Sequence, residues 1–139
     1  RTASSVRSLW NISESDKRRE VIAAIRPWWT GEFVGCTRTG SPIQVHRIEF
    51  LYPNDLLAFG EDHLRTFYLW WMEACLGLQR QGYESVGGGS GAMPRCIEIY
   101  DMRNIPVARL PKMVAGIRTF ARVLHIGQEH YPENLRKAF

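Results

Sequence analysis

The sequence predicts an α/β fold in which a mixed, largely parallel sheet is flanked by helices. Short segments with apolar residues at every second position, typical of strands, alternate with longer segments whose apolar residues recur every three or four positions, typical of helices. Stretches rich in Gly and Pro separate the two kinds of segment. This alternation favours parallel neighbours in the sheet, because each helix returns the chain to the edge where the preceding strand began.

The composition fits a single globular domain. The chain has 139 residues, of which 45% are hydrophobic and 23% are charged. It contains no apolar run of roughly eighteen residues or more and no signal peptide, so we expect a soluble protein. Three Cys far apart in the chain favour a reducing compartment.

The charge balance favours an anionic partner. The net charge of +4 and the pI of about 9.2 are a mild excess that would favour an anionic surface such as phospholipid or nucleic acid. The basic residues are scattered, and the densest run, Lys17 to Arg19, fits the solvated face of a helix. The sequence therefore carries no strong nucleic-acid signal, and we expect no nucleic-acid partner.

The first element is a helix in the segment NISESDKRREVIAAIRP. Ser13 is a suitable N-cap, and Pro27 is expected to end the helix. Its apolar side consists of Val21, Ile22 and Ile25. We interpret residues 1–27 as an N-terminal helical segment, followed by a Gly-rich loop with one short extended piece.

The segment PIQVHRIEF predicts the first strand of the sheet. Its side chains alternate between two sets that point to opposite faces. The sets are Ile43, Val45 and Arg47 on one side and Gln44, His46 and Ile48 on the other. Because apolar residues occur in both sets, we expect both faces to be covered.

A helical turn near Asn54 or Asp55, closed by Gly60, leads into the longest helix, EDHLRTFYLWWMEACLGLQRQ. Its apolar residues recur at helical spacing and predict a wide buried face. They are Leu64, Phe67, Tyr68, Trp71, Cys75 and Leu78. The adjacent Trp70 and Trp71 diverge by about 100° on a helix, so one belongs in the core and the other at a pocket rim or a membrane-facing surface.

The second half of the chain begins with a flexible Gly-rich loop, GYESVGGGSGAMP, and a strand, RCIEIYDM. A last helix, KMVAGIRTFARVLHIGQEH, ends before Pro132, and a further strand begins near Lys137. The predicted buried stripe of this helix is Met113, Val114, Ile117, Phe120, Ala121 and Leu124.

Catalytic, metal and cofactor chemistry find little support in the sequence. Cys36 and His46 are the best nucleophile and base, but no spacing motif joins them, so we expect no enzyme activity. The four His are too dispersed to hold a metal together, and no cofactor motif is present. Asp101, at a strand end, is expected to brace the following loop by accepting backbone hydrogen bonds.

Several of these stretches together resemble the CRAL-TRIO family of lipid-binding domains, over about Trp28 to Phe139. The segment GSPIQVHRIEF resembles the entry into the first strand of the family, and CIEIYDMRNI resembles its strand ending in an aspartate. HYPENLRKAF resembles the Tyr-Pro-Glu segment that precedes a later strand. Ser41 stands where the family usually has Arg, Arg38 where an acidic residue is common, and Asn104 where Gly is frequent.

The resemblance implies a pocket with the sheet as its floor. Residues 28–139 would form a partial domain that stops before the gate helix, which covers the pocket in the family. The implied activity is non-catalytic binding, and transfer or sensing, of a phosphatidylinositol-type phospholipid or another hydrophobic ligand. The implied location is the cytoplasm, peripheral to membranes, with transient contact with anionic membrane surfaces.

We expect Gln44, His46 and Ile48 to line this pocket, since they combine two hydrogen-bonding groups with an apolar one. The opposite face of the strand would then lie under helices. Leu124, Gln128 and Tyr131 are expected to line the pocket from the last helix, although Leu124 also suits ordinary core packing. The alternative function is a protein-interaction module with a vestigial pocket, in which the basic segment DKRREV contacts a small GTPase or another regulatory partner.

Overall fold

The computed structural model describes residues 14–87, 93–130 and 135–138. The predicted N-cap Ser13 and residues 88–92 of the Gly-rich loop lie outside these ranges. The α-helices are α1 (Glu14–Ile25), α2 (Pro53–Leu57), α3 (Glu61–Ser85) and α4 (Leu110–His130). The strands are β1 (Gly31–Cys36), β2 (Pro42–Arg47), β3 (Cys96–Asp101) and β4 (Leu135–Ala138). Short 3-10 helices occupy Arg26–Trp28, Ile48–Phe50 and Val107–Arg109.

The strands form one sheet in the order β1-β2-β3-β4. β1 pairs antiparallel with β2, whereas β2 with β3 and β3 with β4 are parallel. The crossovers between the parallel strands run through α3 and α4. Right-handed crossovers in a sheet that grows in one direction place both helices on the same side. The predicted fold class, a mixed and largely parallel sheet flanked by helices, is confirmed.

β1 is the element that the sequence underestimates most. We expected a loop with one short extended piece, but Gly31–Cys36 pairs with β2 from Pro42 to His46. The register shifts between Phe33 and Gly35, as in a β-bulge. Two of the six residues are glycines, which weakens the sequence signal for a strand. Glycine has a low strand propensity and interrupts the alternation of apolar and polar side chains.

The turn between β1 and β2 contacts the last part of α3 through a pair of glycines. Gly40 lies in the turn with a φ of +85°, and Gly82 lies near the end of α3. A Cβ atom on either glycine would collide with backbone atoms of the other. This contact places the end of α3 directly against the strand turn.

The core lies between α3, α1 and the sheet. Its central side chains are buried and in mutual contact: Ile25, Leu56, Leu64, Phe67 and Trp71. The predicted α3 stripe is confirmed at Leu64, Phe67, Trp71 and Cys75, while Tyr68 and Leu78 are half-buried. Trp71 is the core tryptophan, and Trp70 packs at the margin of the cluster.

The predicted buried stripe of α4 is only partly correct. Met113 is buried, but Val114 and Ile117 are 49% and 41% exposed. The packed side of the helix runs instead through Met113 and Gly116, where the absence of a side chain lets α4 approach Pro53. The contact face is therefore rotated away from the stripe that apolar spacing predicts.

In the described part of the chain, no helix combines the length and apolar character needed to cross a bilayer.

Candidate functional site

The two faces of the sheet differ in what covers them. On one face, the parallel register of β2 and β3 places Gln44 beside Glu98 and His46 beside Tyr100. Since side chains alternate along a strand, the neighbouring pairs point to the opposite face. These pairs are Ile43 with Ile97 and Val45 with Ile99. We call the first the covered face and the second the open face.

A chain of hydrogen bonds joins α3 to the covered face. The indole Nε1 of Trp71 donates to Gln44 Oε1 at 3.0 Å, and Gln44 Nε2 donates to Glu98 Oε1 at 2.5 Å. The Tyr100 hydroxyl donates to the second carboxylate oxygen of Glu98 at 2.5 Å. Gln44 is only 2% exposed, so its amide donates and accepts its hydrogen bonds within the protein and not with water. The network fixes α3 over the junction of β2 and β3.

His46 occupies an aromatic enclosure on the covered face. Its ring stacks on Tyr100 at a centroid distance of 5.2 Å and meets the edge of Trp29 at 6.0 Å. Its Nδ1 lies 3.4 Å from Thr30 Oγ1. Burial lowers the pKa of His46 to about 4, because the charged imidazolium would lose its hydration. His46 is thus neutral at pH 7 and acts as a packing residue.

Two buried thiols also lie between α3 and the sheet. Cys75 on α3 and Cys96 on β3 are 1% and 2% exposed. A hydrogen bond with Cys75, together with burial, raises the pKa of the Cys96 thiol. A protonated, desolvated thiol is a poor nucleophile, so these groups serve as small apolar side chains of the core.

The structure places two of the predicted pocket residues on the covered face. We predicted that Gln44, His46 and Ile48 face a cavity, but the structure places Gln44 and His46 beneath α3. Ile48 begins a 3-10 helix after β2 and is 8% exposed. The polar groups that suggested ligand anchors bond to other protein side chains instead. Their physical role is to join the layers of the fold.

The open face carries four β-branched side chains in adjacent positions of β2 and β3. Ile43, Val45 and Ile97 are half-buried, and Ile99 is 37% exposed. Among the described helices, α3 packs on β2 from the other side. The result is a flat apolar surface that the described elements leave without a helical layer.

Ionic groups border the open face at the carboxyl ends of β2 and β3. Arg47 pairs with Glu49 at 2.8 Å, and its guanidinium lies 4.9 Å from the ring centroid of Phe50. Its register partner, Asp101, pairs with Arg103 at 2.7 Å. An apolar floor with a polar border is the arrangement expected for an amphiphilic ligand.

Asp101 braces the loop after β3, as predicted. The Arg103 backbone N–H donates to Asp101 Oδ1 at 3.1 Å, and the Arg103 guanidinium donates to both carboxylate oxygens. These hydrogen bonds lower the pKa of Asp101 to about 2. The loop then reaches Asn104, whose φ of 61° is in the left-handed region that Asn tolerates better than most residues.

The remaining residues predicted to line the pocket lie outside the description. The structure describes the backbone of α4 at Leu124 and Gln128 but not their side chains, and Tyr131 is not described. Among residues whose placement is described, no group of three or more metal-ligating side chains comes together. The open face is therefore the candidate site.

A signal for this site was present in the sequence. Both strands alternate an aliphatic set with a polar one, and the two aliphatic sets become neighbours once β2 and β3 pair in parallel. Sequence reasoning chose the polar set because ligand sites need hydrogen-bonding groups. It missed Ile97 and Ile99, since only the register shows that they continue the surface of Ile43 and Val45.

Comparison with known proteins agrees with this architecture. The profile of the CRAL/TRIO domain matches residues 32–139, which is more than half of the chain. No curated protein matches the chain significantly. Domains of this family bind lipophilic ligands and are non-enzymatic carriers. By the extent of this match, the chain belongs to the CRAL-TRIO family.

Proposed function

We propose that the open face is the floor of a lipid pocket, and that the protein binds a phospholipid or another hydrophobic ligand and moves it between membranes. The observation that carries the proposal is the continuous aliphatic surface of Ile43, Val45, Ile97 and Ile99. Because domains of this family bind lipophilic ligands, a lipid is the ligand that we expect on this surface.

The energetic argument is that acyl chains gain from leaving water. Burial of each methylene contributes about 0.8 kcal/mol, so a chain lying along two strands is held by many small contributions. A flat β-branched surface offers such contacts without polar atoms that would need partners. The affinity for lipid then depends on the total apolar area that the open face offers, so substitution of one side chain lowers the affinity only in part.

The ionic border supports an amphiphile rather than a pure hydrocarbon. Arg47 and Arg103 carry positive charge, and Glu49 and Asp101 carry negative charge, at one end of the open face. Both signs are present, so a phospholipid headgroup such as that of phosphatidylinositol finds donors and acceptors there. We infer that the protein exchanges such lipids at cytoplasmic membrane surfaces.

The direct test is to identify what the purified protein carries. Native mass spectrometry and lipid extraction of the full chain, loaded from mixed phospholipid vesicles, should reveal a bound lipophile in a fixed ratio. A vesicle-to-vesicle transfer assay should show faster movement of that lipid with the protein than without it. A protein that stays free of lipid and moves none would refute the proposal.

Variants of the open face sharpen the test. Val45→Thr combined with Ile99→Thr keeps both side chains β-branched but makes the floor more polar, and should lower lipid retention several-fold. Val86→Thr is the matched control, because Val86 is 49% exposed at the end of α3, away from the sheet face. Equal loss of lipid in the control would show that the floor is not the binding surface.

A second candidate function, the protein-interaction module, is favoured by the exposure of Lys17, Arg18 and Arg19 on α1. A small GTPase or another regulatory partner with an acidic surface would meet these side chains there. Charge reversal of all three should then abolish capture of the partner and leave lipid transfer unchanged. Loss of transfer in this variant, with capture intact, would argue against the interaction module.

A further inference from the structure

More than half of the exposed large apolar side chains in the described chain lie between Ile99 and Ile117. Within this stretch, four of them follow the spacing of one helical side through the last 3-10 helix and α4. They are Val107, Leu110, Val114 and Ile117, with exposed fractions of 80%, 39%, 49% and 41%. We call this set the α4 stripe. Steps of three and four residues place its members in a row along the helix.

The α4 stripe is distinct from the side by which α4 packs. Met113 is 5% exposed, and Gly116 meets the side chain of Pro53. Met113 and Gly116 therefore lie on the side of α4 that faces α2. The stripe points elsewhere, and the described elements leave it in contact with solvent. An amphipathic helix thus has one apolar side packed and a second apolar side open.

The charged residues in the first five turns of α4 are all basic. From Leu110 to Gln128 the sequence contains Lys112, Arg118 and Arg122 and no Asp or Glu. Lys112 and Arg118 are both exposed, and Arg118 follows Ile117 directly, so it lies beside the stripe. Lys112 lies about 160–200° around the helix from Val114 and Leu110, near α2, so Arg118 is the cation at the edge of the stripe. An apolar row with a cation at its edge is complementary to a bilayer surface, whose acyl chains are apolar and whose headgroups are anionic.

We propose that the α4 stripe docks onto an anionic phospholipid bilayer, with α4 lying in the plane of the interface. The aliphatic side chains would enter the boundary between headgroups and acyl chains, while Arg118 remains among the lipid phosphates. This inference rests on the proposed function in one respect: a lipid carrier has to reach the bilayer that supplies its ligand. It adds the surface that makes the contact.

A protein partner fits this surface less well. Four partly exposed aliphatic side chains present on the order of a few hundred Å², whereas a stable protein interface needs about 800 Å² from each partner. Interfacial helices need no such area, because many weak electrostatic contacts with headgroups add to the apolar ones. The bilayer is therefore the occupant that the size and the charge of the stripe favour.

The experiment measures binding of the full chain to vesicles. Flotation with phosphatidylcholine vesicles containing about 30% phosphatidylserine should recover the protein, and pure phosphatidylcholine vesicles should recover several-fold less. Raising the ionic strength to about 0.5 M should weaken the binding, because it screens the contribution of Arg118. Equal binding to both kinds of vesicle would overturn the proposal.

Variants of the stripe give the decisive comparison. Val114→Glu combined with Ile117→Glu should reduce the vesicle partition coefficient at least about tenfold, since it removes apolar contact and adds repulsion. Val86→Glu is the matched control, because Val86 has the same 49% exposure as Val114. Arg118→Glu should weaken binding several-fold, whereas Arg80→Glu on α3 should not. Unchanged binding of the double variant would overturn the proposal.

Two further readouts separate the possible outcomes. If the double variant loses vesicle binding but retains extracted lipid in mass spectrometry, the docking surface and the pocket are both supported. If wild type binds vesicles through the stripe but carries no lipid, only the proposed function fails. If the stripe instead mediates dimerisation, light scattering will show a concentration-dependent dimer that the double variant loses, and the docking proposal fails.

Discussion

The covered and open faces of the sheet come from alternate residues of the same strands, yet their chemistry differs. The covered face carries hydrogen-bonding side chains, among them Gln44 and Glu98, that join α3 to two strands. The open face carries aliphatic side chains, among them Val45 and Ile99, and leaves ionic groups to its border. The polar side chains of the two strands therefore lie between the sheet and α3, whereas the side chains at the candidate site are aliphatic.

This difference has a physical explanation. A polar side chain within a layered fold is tolerated when every donor and acceptor has a partner, and it then fixes the alignment of the layers. A surface that receives hydrocarbon has the opposite requirement, because an unpaired polar atom against an acyl chain costs free energy. The covered face should therefore control stability, and the open face should control ligand binding.

The largest effect on stability should come from the centre of the covered side. Phe67 is fully buried, with its ring 5.2 Å from Trp29 between centroids. Phe67→Ala should lower the free energy of unfolding by about 3–5 kcal/mol, since it removes a large ring and leaves a cavity. Urea denaturation followed by circular dichroism measures the change.

The control for this prediction is Phe50, which is 52% exposed at the border of the open face. Phe50→Ala should cost less than about 1 kcal/mol, because most of the ring is already in water. Equal losses in the two variants would contradict the division between a structural face and a binding face.

The second effect is a dependence of stability on pH through His46. The unfolded chain takes up a proton on His46 near pH 6.5, whereas the folded chain does so only near pH 4. Between these values the unfolded state binds more protons, so the free energy of unfolding falls as the pH falls. The loss should reach about 3 kcal/mol at the acid end and be absent above the upper pKa.

Denaturation curves at several pH values across this window check the prediction. His46→Phe keeps a ring between Trp29 and Tyr100 and should flatten the pH dependence relative to wild type. His63→Phe, at an exposed position of α3, should leave the dependence as in wild type. A His46→Phe protein with the full acid sensitivity of wild type would show that another group is responsible.

The third effect concerns the hydrogen bond between α3 and β2. Gln44→Leu leaves the buried Trp71 N–H without its acceptor and should cost about 1–3 kcal/mol. Adding Trp71→Phe removes the orphaned donor, so the double variant should lose less than the sum of the single losses. Unfolding free energies of the two single variants and the double variant form the cycle. Strict additivity would mean that the two side chains do not interact.

The smallest effect on stability is expected on the open face. Ile99→Thr retains a β-branched side chain at a position that is 37% exposed, and should change the free energy of unfolding by less than about 1 kcal/mol. The same variant should retain less lipid. A large stability loss with unchanged lipid retention would reverse the roles of the two faces.

The order and type of most elements could be predicted from the sequence because local patterns dominate there. α3 has a long apolar stripe, and its buried residues Leu64 and Phe67 follow directly from the helical period. β1 was underestimated because its residues gain order from pairing with β2, which is a non-local contribution. The packed side of α4 was misplaced because Gly116, which has no side chain, determines how closely the helix approaches Pro53.

The candidate site was only partly predictable. The sequence identified the correct strands, and the family resemblance indicated a sheet-floored pocket. Which face of the sheet binds the ligand depends on the side of the sheet on which α3 packs. The alternation of side chains along a strand shows that there are two faces, but not which of them the helix covers. The structure resolves it at Gln44, whose amide meets Trp71.

The contact between Gly40 and Gly82 has a consequence for how the sequence can vary. Each glycine excludes a side chain at the other position because the obstacle is backbone, which no substitution removes. A change at one position therefore has no compensating change at the other, unlike a large-for-small exchange between two side chains. Homologous chains that keep this crossing should conserve both glycines independently, without the covariation that usually marks residues in contact.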